Sequence, residues 1–480
     1  MSKKPFYITT TLPYVNAEPH IGFAGEIIMA DARARFARSV GYDVVFNTGT
    51  DEHGVKIYEN AKDAGIETQE YVDQNAATFA ALVDDLNISS THFVRTTDAA
   101  HKNAAQEIWK RVDANDYIYK KHYSVNYCNG CELEKTDSEL EDGCCPLHPG
   151  KPLEKIEEEN YFFKFSAFGE KLLALYAEQP DFVYPESKMN EIRSFVEGGL
   201  QDFSISRVKE KMPWGVPVPG DDTQVMYVWF DALTSYISTL GWPDGDSFGQ
   251  YWGSPESRQA IQLAGKDNLR QQSAMWQAML MAADLPNSQQ IFIGGFISVD
   301  GQKMSKSIGN VIAPREMIER YGVDGTRYLL LTKATFGEDS DISWDKMDAK
   351  YNADLANGLG NLASRIITLA GDADDVQYDA PQVDVHALQD DIEKCETRAA
   401  LEKVWKIVDR ANKLMEEKQP WKLKKAEDKI AQAEFTELMQ RFLQDLHMTA
   451  KLIEPFLPET SEKILTQLES RKKEILFERI

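Results

Sequence analysis

Two lysines three residues apart, Lys303 and Lys306, sit in the run GQKMSKSIGN between Gly301 and Gly309. Glycines there permit a mobile loop. Two ammonium groups on such a loop can follow the charge of a polyphosphate into a transition state. Near the start of the chain, PHIG puts His20 and Gly22 at the mouth of a helix that runs on as GFAGEIIMADARARFARSV. A helix start needs caps, not an imidazole and a bare backbone, unless something anionic docks there. Free N–H groups and the positive end of the helix dipole bind phosphate. His20 can donate a hydrogen bond to it, and Gly22 lets it approach the backbone.

A third group could hold a metal. Four cysteines crowd into YCNGCELEKTDSELEDGCCPLHPG, from Cys128 to Cys145. That spread is too narrow for a disulfide framework in a chain of this size. Cys128 and Cys131 form one C-x-x-C knuckle, and Cys145 and His148 form a C-x-x-H knuckle. Tetrahedral zinc takes four such ligands, and a site closed by four protein ligands is structural because no position stays open. Cys144 competes with Cys145 for the third place.

The elements that must position these groups follow. FYITTT reads as a strand, the run after PHIG as a helix stopped near Gly41, and YDVVFNT as a second strand. This is the βαβ opening of a doubly wound sheet, whose ligands bind beyond the carboxyl ends of the strands. LPYVNAEPHIG and GTDEHG both fall at strand ends and face one crevice. The expected fold is α/β: a doubly wound, Rossmann-like parallel-sheet domain over 1–115 and 223–310, split by a knuckle-bearing insertion over 116–222. Sheet-like segments resume at QVMYVWFDALTSY, AIQLAGKDN and QIFIGGFISV. From about Val311 the chain is expected to turn to helix and stay there: a connector spans 311–350, and an all-α bundle fills 351–480.

Composition sets limits. A hydrophobic share of 42% and a charged share of 27% are those of a globular protein. The N-terminus lacks the apolar run of a signal peptide, and no stretch reaches transmembrane length. A cytoplasmic protein is expected. The net charge of −24 argues against broad non-specific nucleic-acid binding but leaves room for a local basic stripe.

PHIGF and KMSKS together resemble the two signature motifs of class I aminoacyl-tRNA synthetases. TTLPYVNAEPHIG, FNTGTDEHG, the cysteine knuckle, IEEENYFFKFS, YVWFDALTSYIS, GKDN and NLASR follow in the order of one family, the methionyl-tRNA synthetases. The resemblance runs from Phe6 to past Trp421. The insertion is far shorter than the editing insertions of the leucyl, isoleucyl and valyl relatives. The cysteinyl relative scatters its zinc ligands along the chain, whereas here they are clustered.

By this resemblance, both signatures grip ATP, with Mg²⁺ neutralising phosphate charge, while the methionine carboxylate attacks the α-phosphate. The adenylate then passes its methionyl group to the 2′-hydroxyl of the terminal adenosine of tRNA(Met). His20, Lys303 and Lys306 would be catalytic, and Gly22, Phe23, Lys266 and Asp267 would complete the nucleotide site. Leu12 and Tyr14 would wall the amino-acid pocket, Asp51 would hold the ammonium group, and Trp229 and Tyr236 would close on the thioether. Cys128, Cys131, Cys145 and His148 would hold one structural zinc.

Two places depart from the family pattern. Phe23 stands where the first signature usually ends in a second His. Asn268 and Gln272, beside the pocket, stand where the family often has an apolar residue and a His. An unpaired buried amide there would cost roughly 1–3 kcal/mol. These departures keep two alternatives open: a paralogue that activates another amino acid or serves another acceptor, and a catalytically silent tRNA-binding relative.

In the helical region, Asn361 and Arg365 are four apart and share a helix face, and Trp421 follows Pro420 at a helix start. The resemblance makes these three residues readers of the CAU anticodon, as stacked and hydrogen-bonded bases require. Lys418, Lys422, Lys424 and Lys425 supply the local basic stripe. DISWDKM resembles the connector that contacts the acceptor stem. No appended β-barrel or second zinc-binding tail is recognised, so a monomer is expected.

Overall fold

The computed structural model describes residues 3–128, 133–135, 140–141, 143–148, 152–304, 310–333, 339–371, 373, 376 and 378–480. Cys131 and Lys306 lie outside them, and Lys303 is described by its backbone alone.

The chain opens with β1 (Pro5–Thr9), α1 (Ile21–Ser39) and β2 (Asp43–Thr50), then α2 (Val55–Ala64), α3 (Thr68–Asp85), β3 (His92–Arg95) and α4 (Ala99–Ala114). Six parallel strands form the central sheet, in the order β3, β2, β1, Ala260–Gly265, Gln290–Gly294, Val183–Tyr184. Strand order reverses between β1 and Ala260–Gly265, which is the switch point where such sheets bind ligands. Both faces are covered. Along β1, Tyr7 enters one hydrophobic core and Ile8 the other, and both are fully buried, as alternation on a doubly covered strand requires. α1 has no single apolar stripe. It is buried nearly all round, and Ala24, Ala30, Ala32 and Ala34 let its neighbours come close.

The insertion is built on a four-stranded antiparallel sheet, in the order Leu133–Lys135, Ile118–Cys128, Glu154–Phe163, Phe203–Ser204. Three expectations need correction. Val183–Tyr184 lies inside the expected insertion yet forms the edge strand of the central sheet. QVMYVWFDALTSY is a strand only to Met226. It then turns into two short helices, Val228–Ala232 and Ser235–Ser238, and its strand belongs to a separate antiparallel sheet. The expected connector is not all helix, because Ser340–Ile342 pairs in parallel with Ile297–Val299. A fifth cysteine, Cys395, stands outside the cluster, buried in the helical domain and 3.5 Å from Arg33 Nη1.

The connector braces the lysine loop's hairpin. Asp341 Oδ1 accepts from Gly301 N at 2.6 Å and from Ser298 Oγ at 3.0 Å. Beyond it, helices Asn361–Gly371, Thr397–Lys418, Lys429–Ile453 and Pro458–Ser470 form the bundle. No helix among the described residues is long and apolar enough to cross a membrane.

Candidate active site

His20 is the N-cap of α1. Its backbone is extended and its Nδ1 accepts from Gly22 N at 3.1 Å. The residue is exposed. Desolvation holds the imidazole below the ordinary histidine value, against the pull of the Asp267 carboxylate. A neutral ring with Nδ1 accepting carries its proton on Nε2, where it can be donated outward. Gly22 is required by the ring itself: a Cβ there would lie 2.8 Å from His20 Cε1.

Gly22, Gly25, Glu26 and Met29 line one wall of a cleft. Ala264, Gly265, Gly294 and Gly295 at the ends of two neighbouring strands line the other. The sequence reading missed Glu26. Its spacing of four from Gly22, with Gly25 at three and Met29 at seven, marks a single helix face and could have revealed it. Thr11 donates to Glu26 Oε1 twice, from N at 2.7 Å and from Oγ1 at 2.6 Å. Burial nevertheless pushes the Glu26 carboxyl up to about 8.

Phe23 does not face this cleft. Only 7% exposed, it packs edge-to-face on Phe79 of α3 at 5.4 Å. The second-His position of the signature is therefore filled here by a core residue. Lys266 is turned as well. Its ammonium lies 3.1 Å from both oxygens of Asp339 and 5.2 Å from the Phe296 ring centre. Asp267 stays exposed, with Oδ1 3.4 Å from Asn268 Nδ2.

Two of the residues expected to bind the amino acid meet just past the ends of β1 and β2. Tyr14 and Asp51 are register partners, joined through Val15 N to Asp51 O at 3.1 Å and Asp51 N to Pro13 O at 2.9 Å. Asp51 is 6% exposed. Gly54 has φ +119°, and a Cβ there would lie 2.3 Å from the Tyr14 hydroxyl, so the loop closes on that ring only through glycine. Leu12 is half-buried in the loop before them. Tyr236 is buried, and desolvation raises its phenol, with the Glu26 and Asp51 charges adding to the rise. Trp229, half-buried on the neighbouring short helix, has an indole Nε1 with no hydrogen-bond partner among the described residues.

The structure answers the question of the two amides. Gln272 is 2% exposed and paired: its Nε2 donates to the Tyr236 hydroxyl, and its Oε1 accepts from Gln262 Nε2 at 3.3 Å. Asn268 is only half-buried. Neither position carries the penalty of an unpaired buried amide.

In the insertion, Cys128, Cys145 and His148 bring their ligand atoms within 4.8 Å of one another. The Cys128 and Cys145 sulfurs lie 3.8 and 4.0 Å from His148 Nδ1. Bond lengths of about 2.3 Å to sulfur and about 2.0 Å to nitrogen put ligand atoms roughly 3.6 Å apart on a tetrahedron, so the three fit a zinc ion. Cys144 is outside this cluster and instead makes a backbone bridge with Glu141.

In the bundle, the Arg365 guanidinium lies 4.9 Å from the centre of the half-buried Trp421 ring and is ion-paired to Glu416. Asn361 is exposed at the start of the same helix as Arg365. One charge of the basic stripe is offset, since Lys418 pairs with Glu434 at 2.9 Å, while Lys424 keeps its charge and donates to Leu369 O at 3.1 Å.

The family of class I tRNA synthetases (M) matches residues 6–151 and 134–367, and the anticodon binding domain of methionyl tRNA ligase matches residues 368–478. The chain belongs to the class I aminoacyl-tRNA synthetases. Within them it is a member of the methionyl-tRNA synthetase family. It is 40% identical to the methionine--tRNA ligase of Caldanaerobacter subterraneus subsp. tengcongensis, over 97% of this chain and 74% of that one. Against the Brucella suis enzyme, identity is 40% over 97% of this chain and 92% of the other. The structure of Mycobacterium tuberculosis methionyl-tRNA synthetase in complex with methionyl-adenylate superposes with a TM-score of 0.90 at 38% identity, covering 99% of this chain and 98% of that one. The free state of the Mycobacterium tuberculosis enzyme gives 0.81 at 36% identity, covering 97% and 92%.

Proposed function

We propose that the chain activates L-methionine with ATP and transfers it to tRNA(Met), the aminoacylation that feeds initiation and elongation of translation in the cytoplasm. The observation that carries this reading is that a His20-capped helix N-terminus and the Tyr14–Asp51 pair both stand at the carboxyl-terminal edge of the parallel sheet, in the segments that follow β1 and β2. The first suits the phosphates of ATP. The second suits an amino acid's ammonium group beside an aromatic wall.

In this reading His20 donates from Nε2 to phosphate, and Lys303 and Lys306 meet the charge that develops as pyrophosphate leaves. Gly22 and Asp267 complete the nucleotide site, and Lys266 joins them by exchanging Asp339 for phosphate. Leu12, Tyr14, Trp229 and Tyr236 enclose the methionine side chain, and Gln272 holds the Tyr236 hydroxyl. Asp51 holds the substrate ammonium. No side chain acts as nucleophile; rate comes from positioning and from charge stabilisation. Magnesium entering with ATP would neutralise phosphate charge.

The deciding experiment is amino-acid-dependent ATP–pyrophosphate exchange across all twenty amino acids. Exchange with methionine alone is the expected result. Exchange with a different amino acid, or with none, overturns the reading.

Cys128, Cys145 and His148, with Cys131, would hold one structural zinc that stiffens the end of the insertion's long hairpin. Cys128→Ser is expected to release it, read as loss of bound zinc by elemental analysis. A wild-type protein that is folded, active and free of metal would defeat this assignment.

Asn361, Arg365 and Trp421 form the proposed anticodon platform. Trp421→Ala removes the surface on which a base and Arg365 stack, a contact worth about 1–3 kcal/mol per base. It is expected to raise the KM for tRNA about tenfold or more in charging assays while sparing methionine-dependent exchange. Unchanged charging would remove the platform from the reading.

A further inference from the structure

Asp231, His53 and His101 form a cluster that none of the roles above uses. All three are at most 2% exposed. Asp231 Oδ2 lies 2.5 Å from His53 Nδ1, and Asp231 Oδ1 lies 2.6 Å from His101 Nε2. His101 Nδ1 in turn lies 3.1 Å from Ser238 Oγ. A fully buried carboxylate is costly unless paired, and apolar residues of similar volume often serve stability as well or better. The cluster therefore calls for a reason other than stability.

Its connections supply one. His53 belongs to the loop after β2, His101 to α4, Asp231 to helix Val228–Ala232 and Ser238 to helix Ser235–Ser238. His53 stands two residues after Asp51, Asp231 two after Trp229, and Ser238 two after Tyr236. Two helical steps turn a side chain through about 200°. Trp229 and Tyr236 can thus face substrate while Asp231 and Ser238 face away from it into the cluster.

The loop is held on its other side as well. Glu52 accepts from Arg95 at 2.7 and 2.9 Å, and its carbonyl accepts from Trp214 Nε1 at 2.6 Å. Both residues that follow Asp51 are thereby anchored to different parts of the fold.

We propose that Asp231 is a positioning residue for methionine: by bridging His53 and His101 it locks the loop that carries Asp51 to the helices that carry Trp229 and Tyr236, and so sets the width of the amino-acid pocket. The proposal rests on the reading of those three residues as methionine contacts. The cluster touches no substrate and acts only through them.

The test is exchange kinetics on the full chain with methionine and ATP varied separately. His53→Leu removes one arm of the bridge. It is expected to raise the methionine KM about tenfold and to leave the ATP KM within about twofold, because a small misplacement of one wall weakens only what that wall touches. In His53→Asn the amide nitrogen takes the place of Nδ1. It should return the methionine KM to within about threefold of wild type. His101→Met and His101→Gln repeat the comparison on the other arm, since glutamine Nε2 replaces histidine Nε2. They decide the matter if His53→Leu does not fold.

A parallel rise in both KM values overturns the proposal, as does a silent His53→Leu. So does a failure of the amide variants to restore the methionine KM once their melting temperatures are normal. The controls separate this from failure of the function itself. Wild type without methionine-dependent exchange overturns the function. A normal methionine KM in Asp51→Asn removes the pocket assignment, and the proposal with it.

Discussion

His20→Ala is expected to lower the rate of adenylate formation about 100- to 1,000-fold, the size of effect seen when one pre-organised donor to developing charge is removed. The methionine KM should stay near wild type, because Asp51, Trp229 and Tyr236 lie on other segments. The same substitution should destabilise the fold by about 0.5–2 kcal/mol, through loss of the cap that Nδ1 gives to Gly22 N. The two losses have different causes and can be separated. Asparagine is a good N-cap, but its short side chain puts no N–H where Nε2 stands. His20→Asn should therefore keep most of the stability, read by urea denaturation, and still lose most of the rate, read by single-turnover adenylate formation.

Gly22→Ala provides the converse. Its Cβ would collide with the imidazole at 2.8 Å and turn the ring out of place, so it should reproduce the kinetic defect with His20 intact. The cap also sets a pH limit. Nδ1 accepts only while the ring is neutral, and desolvation holds the ring's pKa below the ordinary value. The cap is thus present above that lowered pKa and lost as pH falls through it. A His20→Asn variant with full adenylation rate would show that the imidazole serves the helix and not the phosphate.

Much of this arrangement is legible in the sequence, because His20, Gly22 and the strands that flank them are neighbours in it. The run from Phe6 to Thr50 holds a strand, a loop with its cap, a helix and a strand in unbroken order. The βαβ rule then places both strand-end loops on one crevice. What escapes such reading depends on side-chain direction or on distant partners. Phe23 adjoins Gly22, yet one helical step turns it away from the cleft onto Phe79. Val183–Tyr184 is too short for any periodicity, and only its pairing with Gln290–Gly294 makes it a strand. Gln272 reads as a polar intruder until Gln262 and Tyr236 meet it. Lys266 reads as a nucleotide contact, and the carboxylate that holds it is 73 positions away. Asp231 lies 178 residues from one of its histidines and 130 from the other, so no local pattern announces the bridge.

The largest expected loss of stability comes from Arg327, the fully buried hub between the catalytic and helical parts of the chain. Its Nε donates to Phe456 O at 2.8 Å, its Nη1 to Leu86 O at 3.1 Å, and its Nη2 to Asp31 Oδ2 at 2.7 Å. Asp31 also takes Arg35 Nε at 2.7 Å and Ser89 N at 2.7 Å. Burial opposes ionisation of Asp31, yet the two guanidinium groups and Ser89 hold its carboxyl below the ordinary value. Removing one partner of a buried pair costs about 3–5 kcal/mol, and here it also takes the Arg327 donors from the Phe456 and Leu86 carbonyls. Arg327→Met should lose about that much in urea unfolding. Arg327→Lys should recover little, since one compact ammonium cannot serve acceptors spread around a planar fork. The double variant Asp31→Leu/Arg327→Met should be less stable than Arg327→Met alone, because Asp31 keeps Arg35 and Ser89 when Arg327 goes, and its own removal strands both. Because Asp31 stands on α1, three helical turns below the His20 cap, the same substitution should also slow adenylation in whatever fraction remains folded. A loss below about 1 kcal/mol would mean that water reaches the pair and screens it, and that the tie between the bundle and α1 is carried by apolar packing alone.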